Sequence, residues 1–173
     1  TARFKKAMDR AHAATAYTER ITQLVADLTQ TGLAVSHPLL EARETTRSAT
    51  LLVLTANRGL CGGYNGNVQR AALRHWQEMT QTIPNCRLEV SGKRGISAFK
   101  FRGVKPDETY THFEDKPRFE EVELIANRYL DDYITGKLDR LDVAYMKFKS
   151  ASRQEVAIET LLPLGSLVGA ENK

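Results

Sequence analysis

Between positions 4 and 28 the apolar residues Phe4, Met8, Ala11, Ala14, Tyr17, Ile21, Leu24 and Leu28 recur in steps of three and four, while Lys5, Lys6, Asp9, Arg10, Glu19 and Arg20 fill the other faces. That period stacks side chains along one side of a helix, so residues 1–31 are predicted as a single long amphipathic helix. At 1.5 Å per residue its first thirty residues would extend roughly 45 Å, more than a body of this size needs for its own packing. The apolar seam has two readings. It is one half of a coiled coil, with Ala11 and Ala14 permitting close approach, or it lies along the body of its own chain. Gly32 and the His37-Pro38 pair then interrupt the pattern, and residues 32–49 read as a connector.

Residues 51–55 are a short unbroken apolar run, the mark of a strand covered on both faces in the middle of a sheet. Glycines and asparagines crowd residues 57–67, after which Val68, Ala72, Trp76 and Met79 form a helical stripe with Arg70 and Arg74 opposite. Residues 87–91 alternate, with Leu88 and Val90 inward; a glycine-flanked basic turn follows at 92–95, a short helix at 96–101 and a short strand at 108–112. Pro117 can open the next helix and Glu120 and Glu121 suit its positive end. Phe119, Val122, Ala126, Tyr129 and Tyr133 make its buried stripe, and Gly136 stops it. Strands are predicted at 142–148 and at 155–162, the second with Val156, Ile158 and Leu162 inward. Their connection is too short for a parallel crossover, so the pair is antiparallel. The alternation across residues 50–164 implies an α/β fold: a mostly parallel, Rossmann-like sheet flanked by helices, with a long amino-terminal coiled-coil helix and a final antiparallel strand. Residues 165–173 read as a frayed polar tail.

Composition leaves this picture intact. With 173 residues, 42% hydrophobic and 27% charged, the chain belongs to the globular class and can build a core without disulfides or a structural metal. A formal charge of +4 is too mild to imply nucleic acid unless it is concentrated in a patch. Cys61 and Cys86 are not in a metal-binding spacing, and reducing, intracellular surroundings are the default expectation. No apolar run approaches the ~18 residues of a membrane span, and the first ten residues are amphipathic rather than signal-like. The chain starts without methionine and inside a helical pattern, which suggests a fragment or a processed product.

Chemically suggestive residues concentrate in Asn57-Arg58-Gly59-Leu60-Cys61-Gly62-Gly63-Tyr64-Asn65-Gly66-Asn67, a glycine-rich turn between a buried strand and a helix, where ligands approach open sheets. Its glycine spacing does not reproduce the dinucleotide fingerprint, no acid follows the second strand to hold a ribose, and no Walker lysine is present. Gly59-Leu60-Cys61-Gly62-Gly63 does satisfy a nucleophile-elbow pattern with Cys61 in the serine position. The only later histidines are His75 and His112, neither well ordered for a triad, so an inert packed cysteine competes with a reactive one. The four histidines are isolated and read as surface or loop residues; no metal or cofactor is expected. Asp131, Asp132, Glu120 and Glu121 read as solvated helix surface, and Phe99, Phe101, Tyr145 and Phe148 as core.

The long first helix, the His37-Pro38-Leu39-Leu40 turn and the strand running into Arg58-Gly59-Leu60-Cys61-Gly62-Gly63-Tyr64-Asn65 together resemble the gamma subunits of rotary F-type ATP synthases. The resemblance continues through Ser91-Gly92-Lys93-Arg94-Gly95, Gly136-Lys137-Leu138-Asp139, Tyr145-Met146-Lys147-Phe148 and Leu161-Leu162-Pro163-Leu164, in family order over essentially the whole chain. It implies a non-catalytic rotor element of the central stalk. The terminal helices would form a coiled coil inside a ring of alpha and beta subunits, and the catalytic sites would lie on those other subunits. Epsilon and the membrane c-ring would be further partners, with no direct membrane insertion and a peripheral location on the inner face of an energy-transducing membrane, the cytoplasmic side of a bacterial cell membrane. The turn residues Arg58, Gly59, Leu60, Cys61, Gly62 and Gly63 become candidate partner contacts, as do Arg3, Lys5, Lys6, Arg10 and Arg20 on the helix, against the readings of a structural turn and of solubilising charge. The family commonly has an aspartate before the arginine where this chain has Ala56-Asn57-Arg58, which puts any contact of that acid in doubt. Nothing after Leu164 resembles the long carboxy-terminal helix, and a regulatory cysteine insertion is missing, so no thiol switch is expected. A small cysteine hydrolase with Cys61 as nucleophile stands as the alternative from a different class.

Overall fold

A computed structural model describes residues 43–55, 64–111, 119–150 and 153–163. Five strands form one sheet in the order β3-β2-β1-β4-β5: β1 (Ser48–Leu54), β2 (Asn85–Ser91), β3 (Glu108–Tyr110), β4 (Arg140–Ser150) and β5 (Arg153–Leu162). The first four run parallel and β5 pairs antiparallel with β4. Three helices alternate with them: α1 (Tyr64–Thr82), α2 (Lys93–Phe101) and α3 (Phe119–Ile134). The mostly parallel α/β architecture and the final antiparallel strand are as expected from the sequence. The amino-terminal helix lies outside the described residues, as do the connector up to residue 42 and the tail.

β1 is the central strand, and its continuous apolar run follows from being covered on both sides. Ala49, Leu51 and Val53 point to a core built with Val68, Ala72 and Met79 of α1 and Phe99 of α2. Leu52 points to a second core with Tyr129 and Tyr133 of α3, Val143 and Tyr145 of β4, and Leu161 and Leu162 of β5. Each fully buried aliphatic side chain contributes about 1.5 to 3 kcal/mol relative to exposure. The stripe read on α1 is therefore the face it buries, with Trp76 partly buried and Arg70 and Arg74 exposed. Gly136, at φ +83°, ends the turn after α3 in the left-handed conformation that glycine adopts without strain.

Several local expectations are corrected. The strand expected at 51–55 is β1, which starts three residues earlier because Ser48 and Ala49 already pair with Asn85 and Cys86 of β2. Lys93-Arg94-Gly95 is the first turn of α2 rather than a separate basic turn. β2 does not alternate at its end: Leu88, Glu89, Val90 and Ser91 are all buried, because helices cover both faces there. Phe101 is 88% exposed while Phe99 and Tyr145 are core. Residues two apart on a helix point away from each other, so a nine-residue helix cannot bury both phenylalanines. In β5 the buried pair is Leu161 and Leu162, Val156 is partly buried, and Ile158 is 37% exposed at the sheet's edge. The register shift between Leu141 and Asp142 explains the adjacent buried pair: Leu162 opposes Leu141 and Thr160 opposes Asp142, so Leu161 is the extra residue of a bulge. The side chains of Phe119, Val122 and Phe148 lie outside the described residues.

Candidate interaction sites

All the contact residues expected from the sequence, Arg3, Lys5, Lys6, Arg10 and Arg20 on the first helix and Arg58, Gly59, Leu60, Cys61, Gly62 and Gly63 on the glycine turn, lie outside the described residues. The residues that bracket the turn are described. Thr55 leaves β1 at the carboxyl edge of the parallel strands, and α1 begins at Tyr64. Thr55 also ties this edge to α2. Its amide and its hydroxyl both donate to the Ser91 carbonyl at 2.8 Å, and the hydroxyl oxygen accepts the Gly95 amide at 3.0 Å. A side chain on a neighbouring strand thus caps the third amide of α2, a task usually given to the helix's own first residue. The approach is close enough to require glycine twice. Gly92 has φ +100° and a Cβ there would lie 2.2 Å from the Thr55 carbonyl oxygen; a Cβ on Gly95 would lie 2.6 Å from Thr55 Oγ1. The Gly-Lys-Arg-Gly sequence that contributed to the family resemblance is therefore a packing device at this edge.

Two buried carboxylates hold the body together, and neither was expected from the sequence. Glu89, 1% exposed, accepts from Tyr129 at 2.6 Å, Tyr110 at 2.7 Å, Arg128 at 2.5 Å and Arg87 at 2.9 Å, joining β2, β3 and α3. Burial alone would raise its pKa; the hydrogen bonds from Tyr129, Tyr110 and Arg87 and the charge of Arg128 outweigh that and hold it below the ordinary value. Tyr110 is pushed up to about 12 by burial and by the facing Glu89, and Tyr129 is raised further by the same causes. Asp142, fully buried, accepts from His75 at 2.7 Å, Arg140 at 2.9 Å and Thr160 at 2.7 Å. Its pKa too is lowered: desolvation pushes up, and the bonds from His75, Arg140 and Thr160 push down more strongly. His75 is therefore a partly buried tie between α1 and β4, which corrects its reading as an isolated surface histidine. The signal available in the sequence was an acid in the middle of each buried strand, which costs stability unless partners arrive from elsewhere.

These clusters are clamps. Glu89 is saturated by donors, and His75 Nε2 is committed to Asp142. Cys86 donates weakly to the Ile83 carbonyl, and burial raises its pKa, so its thiolate is disfavoured. Among the described residues no group of three or more His, Cys, Asp or Glu could hold a metal ion, and no helix is long and apolar enough to cross a membrane. Asp131 is exposed and Asp132 half-buried, both contributing backbone carbonyls to the turn after α3.

Fold and clusters together define a three-layer α/β scaffold in which buried polar groups serve rigidity. The protein-family model described as ATP synthase matches residues 1–173. The chain belongs to this ATP synthase family, and the relatives it matches are gamma chains. It is 57% identical over 167 residues to the ATP synthase gamma chain of Rhodopirellula baltica, covering 96% of this chain and 56% of that protein. It is 34% identical over 148 residues to the gamma chain of Bdellovibrio bacteriovorus, covering 86% and 50%. The chain thus spans about half the length of the curated relatives it matches. Its fold is similar to a chain in the central stalk and c-ring structure of the Tetrahymena thermophila mitochondrial ATP synthase, with TM-score 0.60, 20% identity, and coverage of 94% of this chain and 71% of that one. None of these matches supports a cysteine hydrolase.

Proposed function

We propose that the protein is the rotor component of an F-type ATP synthase, coupling ion-driven rotation to ATP synthesis or hydrolysis on a surrounding ring of alpha and beta subunits. The observation that carries this reading is the family match over the whole chain together with 57% identity to a gamma chain. Residues 1–31 would supply one strand of the shaft, the connector read as 32–49 would give up Ser48 and Ala49 to β1, the sheet domain read as 50–164 would begin there, and residues 165–173 would form the tail. Catalysis would belong to the ring subunits, with epsilon and the membrane c-ring as further partners. The protein would lie peripherally on the inner face of an energy-transducing membrane, the cytoplasmic side in a bacterium. A body braced by two saturated carboxylates suits an element that must transmit force without deforming, since satisfied buried networks rigidify.

On this reading Arg3, Lys5, Lys6, Arg10 and Arg20 meet the ring, and the residues of the glycine turn, Arg58 to Gly63, meet its moving parts. The test is co-expression of the full-length protein with the alpha and beta subunits of the same organism. Co-purification of the three and ATP hydrolysis by the product are expected. Removal of residues 1–31 should abolish co-purification while leaving the sheet domain folded. Recovery of the full-length protein alone, with a ring that assembles without it and hydrolyses ATP equally well, would overturn the reading.

A further inference from the structure

Helix α2 and the turn after it carry Lys93, Arg94, Lys100, Arg102 and Lys105, with no acidic residue from 93 to 105. Among the described residues Arg94, Lys100, Arg102 and Lys105 enter no ion pair. Arg94 occupies the first turn of the helix, where the positive end disfavours a cation and the turn itself holds no acid. In the same place Phe101 is 88% exposed. Between α1 and α2 runs an open groove of about 510 Å³ lined by Gln69, Lys93, Arg94, Ser97, Phe101 and Arg102. A face shaped only for solubility mixes both signs and leaves large aromatics inside. Here one sign, one stranded aromatic and a concave wall coincide.

We propose that this groove docks an acidic segment of a partner protein, with carboxylates against Arg94 and Arg102 and one apolar side chain over Phe101. Arginine forks bind carboxylates in bidentate fashion, and arginine and aromatic residues dominate binding energy at protein interfaces. A concavity fits a protruding chain better than a flat bilayer. α2 has nine residues, and its buried phenylalanine, Phe99, belongs to the core, so no broad apolar face is left to lay into lipid. A single exposed aromatic also gives no platform for successive nucleic-acid bases.

The test uses the full-length protein and a fluorescent peptide of alternating Glu and Asp around one central Leu, titrated at low and at physiological salt. Arg94→Gln/Arg102→Gln is expected to weaken binding about tenfold, and Phe101→Ala about threefold with a loss that persists at physiological salt. Arg47→Gln/Lys137→Gln removes the same charge outside the groove and should change binding by less than about twofold. Arg94→Lys/Arg102→Lys keeps the charge but not the fork and should bind more weakly than the parent and more tightly than the glutamine variant, which separates lost charge from lost fold. Equal losses in the two glutamine variants would reduce the effect to net charge and overturn the proposal. So would a peptide left free by the parent protein at physiological salt, or binding of anionic phospholipid vesicles or duplex DNA in preference to the peptide.

Discussion

Glu89 survives as a charge at 1% exposure because four donors from three elements converge on it. Glu89→Gln would remove the charge that Arg128 and Arg87 face while keeping the shape. A loss of about 3 kcal/mol is expected in urea unfolding, the low end for breaking a buried pair, because both guanidinium groups retain access to water. A change below about 1 kcal/mol would show that the cluster contributes little net stability. The pH dependence has a definite sign. Glu89 and Asp142 are both held below their ordinary values of 4.5 and 3.8. The unfolded chain therefore takes up protons first as pH falls, so their contribution is complete above those values and is lost through the lower folded ones. Stability of the parent should fall steeply below about pH 4.5, and Glu89→Gln should flatten that fall in thermal melts across pH. At the other edge, Gly95→Ala forces a methyl to 2.6 Å from Thr55 Oγ1 and 2.8 Å from Val90 Cγ1. Overpacking of this kind costs about 1 to 3 kcal/mol, and in a Thr55→Ala background the cost should shrink, because the contacts with Thr55 Oγ1 and Cγ2 are gone and only that with Val90 remains.

At the scale of elements, Asp142 connects α1 through His75, its own strand through Arg140, and β5 through Thr160. Asp142→Ala should loosen that half of the sheet selectively. Amide hydrogen exchange is expected to accelerate in α1 and β5, while β2 and β3, held by Glu89, keep their protection; uniform acceleration would contradict the assignment. What the sequence revealed at this scale follows the same division. β1 was legible because a strand covered on both faces is apolar throughout, and α1 because one face of a regular helix repeats. Glu89 was not, since alternation assigns it outward; its partners Arg128 and Tyr129 come from α3, 39 and 40 residues away. Leu162 was placed on the face of Val156 and Ile158 because a bulge at Leu161 changes which side chains share a face, and nothing local in β5 announces one. Phe101 was misread as core because both phenylalanines were assigned inward, although Phe99 and Phe101, two apart on one short helix, face opposite sides.

For the whole molecule, the family was legible in the order of short motifs, and the 57% identical gamma chain agrees with that order. The structure adds a physical use for one of them: Gly92 and Gly95 let α2 approach the end of β1, so part of the motif's demand is packing rather than contact with a partner. The contact residues themselves were legible only through resemblance, because surface cations and a glycine turn have no periodicity that distinguishes a docking face from a solvated one. The proposed rotor role sets what should be measured. With the alpha and beta ring fixed to a surface and a bead attached through Lys137→Cys on the full-length protein, ATP should drive sustained rotation of the bead in one direction. A ring that hydrolyses ATP while the attached bead only fluctuates about a fixed angle would contradict the rotor assignment.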